Sequence, residues 1–208
     1  MADDLDTKKA AGIGGPRFVL DRRQAVPELI GRHEDFLIVS GLAGAVYDVT
    51  HLTNHGEHYF GLLGAMGAAC MMGLGLALAR PEKRVLVVTG DGELLMSLGS
   101  LCTIGVMNPP NLSIICVDNG HYGETGYQPT HTSRGVDIES FARGGGINTT
   151  ATVSRADELA KASQLLRQGN GTTFVLLRVA PTDPPKVALK LNGAHCRTRF
   201  RLTQSLIA

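Results

Sequence analysis

Several short runs in this chain are apolar without alternation: Phe36–Ser40, Val85–Thr89, Leu112–Val117 and Thr173–Val179. A short run with no polar face reads as a strand covered on both sides, the pattern of parallel sheets. Thr149–Val153 adds a further strand. Between these runs lie segments read as helices. They are Asp21–His33, interrupted by Pro27; Gly64–Arg80, rich in small residues; Glu93–Met107, with a glutamate in its first turn; Asp137–Arg143; and Arg155–Gln168, capped by Ser154 with Asp157 as a box-like partner. Gly41–Gly44 and Gly90-Asp91-Gly92 read as turns, and Asn119–Ser133 as a polar loop. Strand and helix alternate. The expected fold is therefore α/β, a doubly wound, mostly parallel sheet with helices on both faces. The expected organisation is a flexible leader over 1–17, one domain over 18–180 and a Pro-rich, then basic, tail over 181–208.

Phe60–Ala79 carries no charge and is long enough to cross a bilayer. Five glycines within it argue against a membrane span. The charged turn Arg80–Arg84 and the strand-like run after it argue the same way. The segment reads as a helix that lets another backbone approach closely. Composition adds exclusions. In 208 residues the formal charge is +1, so no field favours nucleic acid or an anionic membrane. The chain lacks Trp, which disfavours a stacking platform for bases. Its cysteines, Cys70, Cys102, Cys116 and Cys196, show no metal-ligand spacing; the first three lie in apolar runs and read as reduced core residues of a cytoplasmic protein.

In such sheets a ligand binds beyond the carboxyl ends of the strands. Two loops qualify. Thr89-Gly90-Asp91-Gly92-Glu93 joins a strand to a helix, with two glycines that let the backbone approach an anion and Asp91 as a hard oxygen ligand. Asn119 supplies an amide oxygen from the neighbouring strand end. Together they describe a Mg²⁺ bridging a diphosphate. Two familiar fingerprints fail: GxGxxG needs glycine where Leu95 stands, and no GxxxxGK[ST] occurs.

These motifs resemble the diphosphate-binding domain of thiamine-diphosphate-dependent enzymes, whose signature is GDG followed, one helix and one strand later, by NN. Here the second motif is Asp118-Asn119. The resemblance makes Asp91 and Asn119 metal ligands, with the main-chain carbonyl of His121 as the third. Gly64-Ala-Met-Gly67, Gly90-Asp-Gly-Glu-Leu-Leu-Met-Ser-Leu-Gly99 and Asp118-Asn-Gly-His-Tyr-Gly-Glu-Thr-Gly-Tyr-Gln-Pro-Thr130 are similar to sulfopyruvate and phosphonopyruvate decarboxylases, and most of all to the β subunit of the former. The resemblance implies that Gly41, Leu42, Gly64, Met66, Gly90, Asp91, Gly92, Glu93, Asn119, His121 and Tyr122 contact thiamine diphosphate. Met66 would wedge between its two rings, where the alternative is plain core filling. His121 and Glu124 stand as candidates for acid/base work.

Some positions depart from the family pattern. Glu124 replaces a small hydroxyl residue, and Gly41-Leu42 lacks a hydroxyl that Ser40 would have to replace. His51, His55 and His58 read as a polar loop near the cofactor cleft. Arg197, Arg199 and Arg201 would share one side of an extended tail. The family also needs a pyrimidine-binding domain carrying an activating glutamate, for which no segment is assigned. The expectation is therefore a β-type subunit of a two-chain, Mg²⁺-dependent 2-oxo acid decarboxylase, completed by a separate α-type chain. The alternatives are an acetolactate-synthase-like carboligase and a non-catalytic cofactor-binding subunit.

Overall fold

A computed structural model describes residues 18–190 and 192–205. Its centre is a six-stranded, all-parallel sheet with the order β2-β1-β3-β4-β8-β7. The strands are β1 (Phe36–Ser40), β2 (Tyr59–Gly61), β3 (Arg84–Gly90), β4 (Leu112–Asp118), β7 (Thr149–Val153) and β8 (Thr173–Arg178). A small antiparallel pair, β5 (His121–Tyr122) and β6 (Gln128–Pro129), stands apart after β4. The helices are α1 (Arg22–Ile30), α2 (Gly44–Thr53), α3 (Ala69–Ala79), α4 (Asp91–Leu95), α5 (Ser100–Met107), α6 (Ile138–Gly144), α7 (Leu159–Leu165) and α8 (Gly193–Ser205).

The apolar runs face two cores, because side chains alternate across a strand. Ile38, Leu86, Val88, Ile115, Val117, Val175 and Leu177 pack against α1, α2 and α7 on one face. Leu37, Val39, Val85, Val87, Ile114, Cys116, Phe174 and Leu176 meet α3 to α6 on the other. The small residues of α3 have the expected use: a Cβ on Gly73 would stand 2.1 Å from Val87 Cγ2. No helix among the described residues is long and apolar enough to cross a membrane.

Several expected elements shift. The helix expected from Gly64 begins at Ala69, since Gly67 has φ +80°. The one expected over Glu93–Met107 is two, α4 starting at Asp91 and α5 at Ser100, joined by i→i+3 turns such as Ser97 N–H to Leu94 O at 3.0 Å. Helix α2 was not expected at all. At Ser154 the carboxylate partner is Glu158, whose Oε2 accepts from the Ser154 and Arg155 amides at 2.8 and 3.1 Å, and not Asp157. The basic tail is not extended: α8 carries Arg197, Arg199 and Arg201 on its turns, and Arg199 donates to the carbonyls of His55 and Tyr59 at 2.7 and 3.1 Å. Cys70 and Cys116 are buried as expected, whereas Cys102 is exposed. The leader over 1–17 lies outside the described residues.

Candidate functional site

Strand order reverses between β1 and β3: the chain runs outward from β1 to β2, then returns to β3 on the other side of β1. A crevice forms at such a switch point, beyond the carboxyl ends of the strands. A cleft of about 260 Å³ lies there. Its walls are the turn after β1 (Leu42 to Ala45), the β3–α4 turn (Gly90 to Glu93) and the segment from Val117 to Thr125 after β4, with Met66 at the side. Arg22, Tyr47, Tyr127, Asp183 and Pro184 complete the lining.

Gly90 ends β3 in an extended conformation and Asp91 begins α4. A Cβ on Gly90 would meet nothing within 4 Å, so open space lies beside that backbone. Gly92 is glycine for another reason: a Cβ there would come 2.3 Å from Tyr122 Cε1. Asp91 is 2% exposed, and its Oδ2 accepts hydrogen bonds from Thr130 Oγ1 at 2.5 Å and Thr132 Oγ1 at 3.0 Å. Burial raises its pKa against the pull of those two hydroxyls. Asn119 is buried beside it on the β4 side. The Asn119 side-chain oxygen accepts the His121 amide at 3.0 Å, and the Asn119 carbonyl meets His121 Nδ1 at 2.9 Å.

Asp118, the departure in the second motif, does not line the cleft. Its Oδ1 accepts from the Gly120 amide at 3.1 Å and lies 2.7 Å from Thr132 Oγ1, whose single proton is shared between this carboxylate and that of Asp91. Burial, and next the charge of Asp91, push its pKa up to about 7.

Glu93 lies in the wall below. Its Oε2 accepts from Thr89 Oγ1 at 3.0 Å, and burial raises its pKa although the Leu42 and Gly67 amides favour its charge. A Cβ on Gly41 would stand 1.7 Å from that oxygen. Gly41 thus faces Glu93 and, unlike Leu42, does not line the cleft. Gly64 is exposed and outside the lining as well. Ser40 is fully buried, with its hydroxyl on Gly41 O and Tyr59 OH, and offers nothing to the cleft.

Met66 is 39% exposed at the cleft, so it fills no core. Tyr122 and His121 are half-buried and Glu124 is exposed on the same wall. The three histidines do not belong to this wall. His51 sits on α2, His55 Nε2 meets the Ala188 carbonyl at 3.0 Å, and His58 stacks on His33 with Nε2···Nδ1 at 2.9 Å.

Sequence reasoning missed Arg22, Tyr127, Asp183, Thr130 and Thr132. Arg22 forms a buried pair with Asp48 at 2.5 Å, which joins α1 to α2 behind the cleft. A Cβ on Gly44 would lie 2.2 Å from the Arg22 guanidinium. Tyr127 OH donates to Asp183 at 2.7 Å, bringing the start of the tail to the cleft mouth. No local pattern marks Thr130 and Thr132, because His131 between them is helical and the alternation of an extended strand does not apply.

The model of the thiamine pyrophosphate enzyme C-terminal TPP-binding domain matches residues 42–177. Sulfopyruvate decarboxylase subunit beta of Methanocaldococcus jannaschii is 42% identical over 65% of this chain and 70% of its own length. Phosphonopyruvate decarboxylase of Streptomyces viridochromogenes is 36% identical over 80% of this chain, which spans only 42% of that enzyme. In fold, 82% of the chain superposes with TM-score 0.65 and 20% identity on a third (34%) of the thiamine diphosphate-dependent 4-hydroxybenzoylformate decarboxylase of Rhodococcus jostii. The chain belongs to the thiamine pyrophosphate enzymes, as their C-terminal TPP-binding domain, in the group of the sulfopyruvate decarboxylase β subunits.

Proposed function

We propose that the chain is the β-type subunit of a two-chain 2-oxo acid decarboxylase dependent on thiamine diphosphate and Mg²⁺. The observation that carries this reading is the convergence of Asp91, Asn119 and His121, from two neighbouring strand ends, on one cleft that Met66 also lines. The donor chemistry fits the group: a buried carboxylate, an amide oxygen and a main-chain carbonyl are hard oxygen ligands, few enough to leave Mg²⁺ positions for phosphate and water. The open space beside Gly90 fits a diphosphate.

When bound, the cofactor supplies a thiazolium that takes up the electron pair left as carbon dioxide departs from the 2-oxo acid. The chain does the rest. Asp91, the Asn119 side chain and the His121 carbonyl would hold the metal, and the Leu42 and Gly90–Glu93 backbone would cradle the diphosphate. Met66, at the side of the cleft, would contact the cofactor's rings. Tyr122 lies against Gly92 and lines the cleft beside it. A carbonyl only accepts, so His121 Nδ1 carries hydrogen toward Asn119 O and Nε2 is left to take or return a proton. Glu124, on the same wall, is the second candidate for that transfer.

A partner chain supplies the pyrimidine-binding half and its glutamate. Exposed apolar side chains support this: Leu63 shortly before Met66, and Met71, Met72 and Leu78 on α3. Four unpaired cysteines support a cytoplasmic location.

The test is purification of the tagged chain with its partner, followed by calorimetric titration of thiamine diphosphate with and without Mg²⁺. Binding should require Mg²⁺ and disappear in Asp91→Ala, and the complex should release carbon dioxide from sulfopyruvate or another 2-oxo acid. Metal-dependent affinity retained in Asp91→Ala refutes the assignment.

A further inference from the structure

We propose that Thr130 and Thr132 are positioning residues that fix the carboxylate of Asp91 for its cation and fasten the loop after β4 to the β3 end. The inference rests on the cofactor reading above and extends it to residues that do not line the cleft.

Asp91, Asp118, Thr130 and Thr132 form a buried polar ring between the carboxyl ends of β3 and β4. Both hydroxyls converge on one oxygen, Asp91 Oδ2, at 2.5 and 3.0 Å, and lie 2.9 Å from each other. The terminal torsion of an aspartate is otherwise broad. The Thr130 hydroxyl donates to that oxygen, and the Thr132 hydroxyl, whose single proton is shared between Asp91 and Asp118, packs against it; together they restrict that rotation and fix the direction of the other oxygen. Thr132 also contacts Asp118 Oδ1 at 2.7 Å, which turns that carboxylate into the ring and away from the cleft.

The ring closes a loop as well. The Thr130 amide donates to Gly120 O at 2.7 Å, and Ser133 Oγ donates to Thr130 O at 2.7 Å. The stretch from Asn119 to Pro129, which carries the Asn119 and His121 donors, is thus pinned at its far end to Asp91. Groups that orient metal ligands in this way commonly change affinity about 10–100-fold when removed.

The experiment uses the tagged chain with its copurifying partner. Mn²⁺ replaces Mg²⁺, and free Mn²⁺ is followed by electron paramagnetic resonance in the presence of thiamine diphosphate. Thr130→Val and Thr132→Val should each weaken Mn²⁺ binding about 10-fold or more, whereas Thr130→Ser and Thr132→Ser stay within about 3-fold of wild type. Urea midpoints of the metal-free proteins are measured in parallel. A purely structural role would lower the midpoint and leave the Mn²⁺ affinity of the folded protein unchanged. Where a valine variant does not fold, the alanine variant at that position takes its place. Valine or alanine variants that bind Mn²⁺ like wild type, or serine variants that fail to rescue, overturn the proposal. Wild-type protein that takes up no Mn²⁺ with the cofactor overturns the cofactor reading itself, and this inference with it.

Discussion

Tyr122 lies against Gly92 so closely that a Cβ on the glycine would stand 2.3 Å from the ring. The contact joins the β3–α4 turn to the hairpin after β4. Gly92→Ala should cost about 1–3 kcal/mol by overpacking in the wild-type background, and under about 0.5 kcal/mol when Tyr122 is already alanine. A double-mutant cycle by urea unfolding measures the difference. Equal costs in both backgrounds would mean that the ring does not constrain the turn.

Two glycines of α3 should respond with opposite signs. Gly73 faces Val87 at 2.1 Å from its missing Cβ, so Gly73→Ala should destabilise by about 1–3 kcal/mol. Gly75 has nothing within 4 Å, so Gly75→Ala should stabilise by about 0.5–1 kcal/mol through helix propensity and a less flexible unfolded chain. Urea midpoints of the two variants are enough to decide.

The cysteines should divide into two classes. Burial pushes the Cys70 thiol up to about 12 and raises that of Cys116 well above its ordinary value, whereas Cys102 is exposed and Cys196 partly so. A thiol reagent followed by peptide mass spectrometry should label Cys102 and Cys196 in the native chain. Cys70 and Cys116 should react only as the chain opens. Early labelling of Cys70 would contradict the packing of α3 on the sheet.

His58 should make stability depend on pH. Burial, and next the neighbouring His33, lower its pKa below 6.5; Glu34 opposes this shift and Arg199 reinforces it. A folded chain with a lowered histidine pKa holds fewer protons there than the unfolded chain. The stabilisation is therefore complete above 6.5 and is lost as pH falls below it. Urea midpoints should drop more steeply below that pH in wild type than in His58→Asn. Parallel slopes would refute the assignment.

The strands were legible because burial on both faces leaves only apolar choices. Phe36–Ser40 and Thr149–Val153 have the expected bounds. Helix α2 was hidden because Gly44–Thr53 lacks a capping side chain and mixes Val and Thr with its buried Ala45, Val46 and Val49, which muffles the helical period. The long helix expected from Glu93 failed at Met96–Gly99, where i→i+3 bonds tighten the backbone and no proline marks the change. In the cleft, Asp91 and Asn119 were visible because they sit in motifs at strand ends. Thr130 and Thr132 were not, since only the return of the β5–β6 hairpin carries them to Asp91. Arg22 and Asp183 come from opposite ends of the described chain, and local pattern carries no signal for such a meeting.

Strand β8 follows the other described strands in sequence, yet it lies inside the sheet between β4 and β7. Until Thr173–Arg178 has emerged, β7 has no strand to pair with and β4 presents a bare, wholly buried-type edge. The nascent chain therefore passes through a stage in which most of the cleft's loops exist while the sheet beneath them is open on one side. At that stage the unpaired edge of β4 is a hazard for edge-to-edge association. A chain truncated before Thr173 would be stranded there.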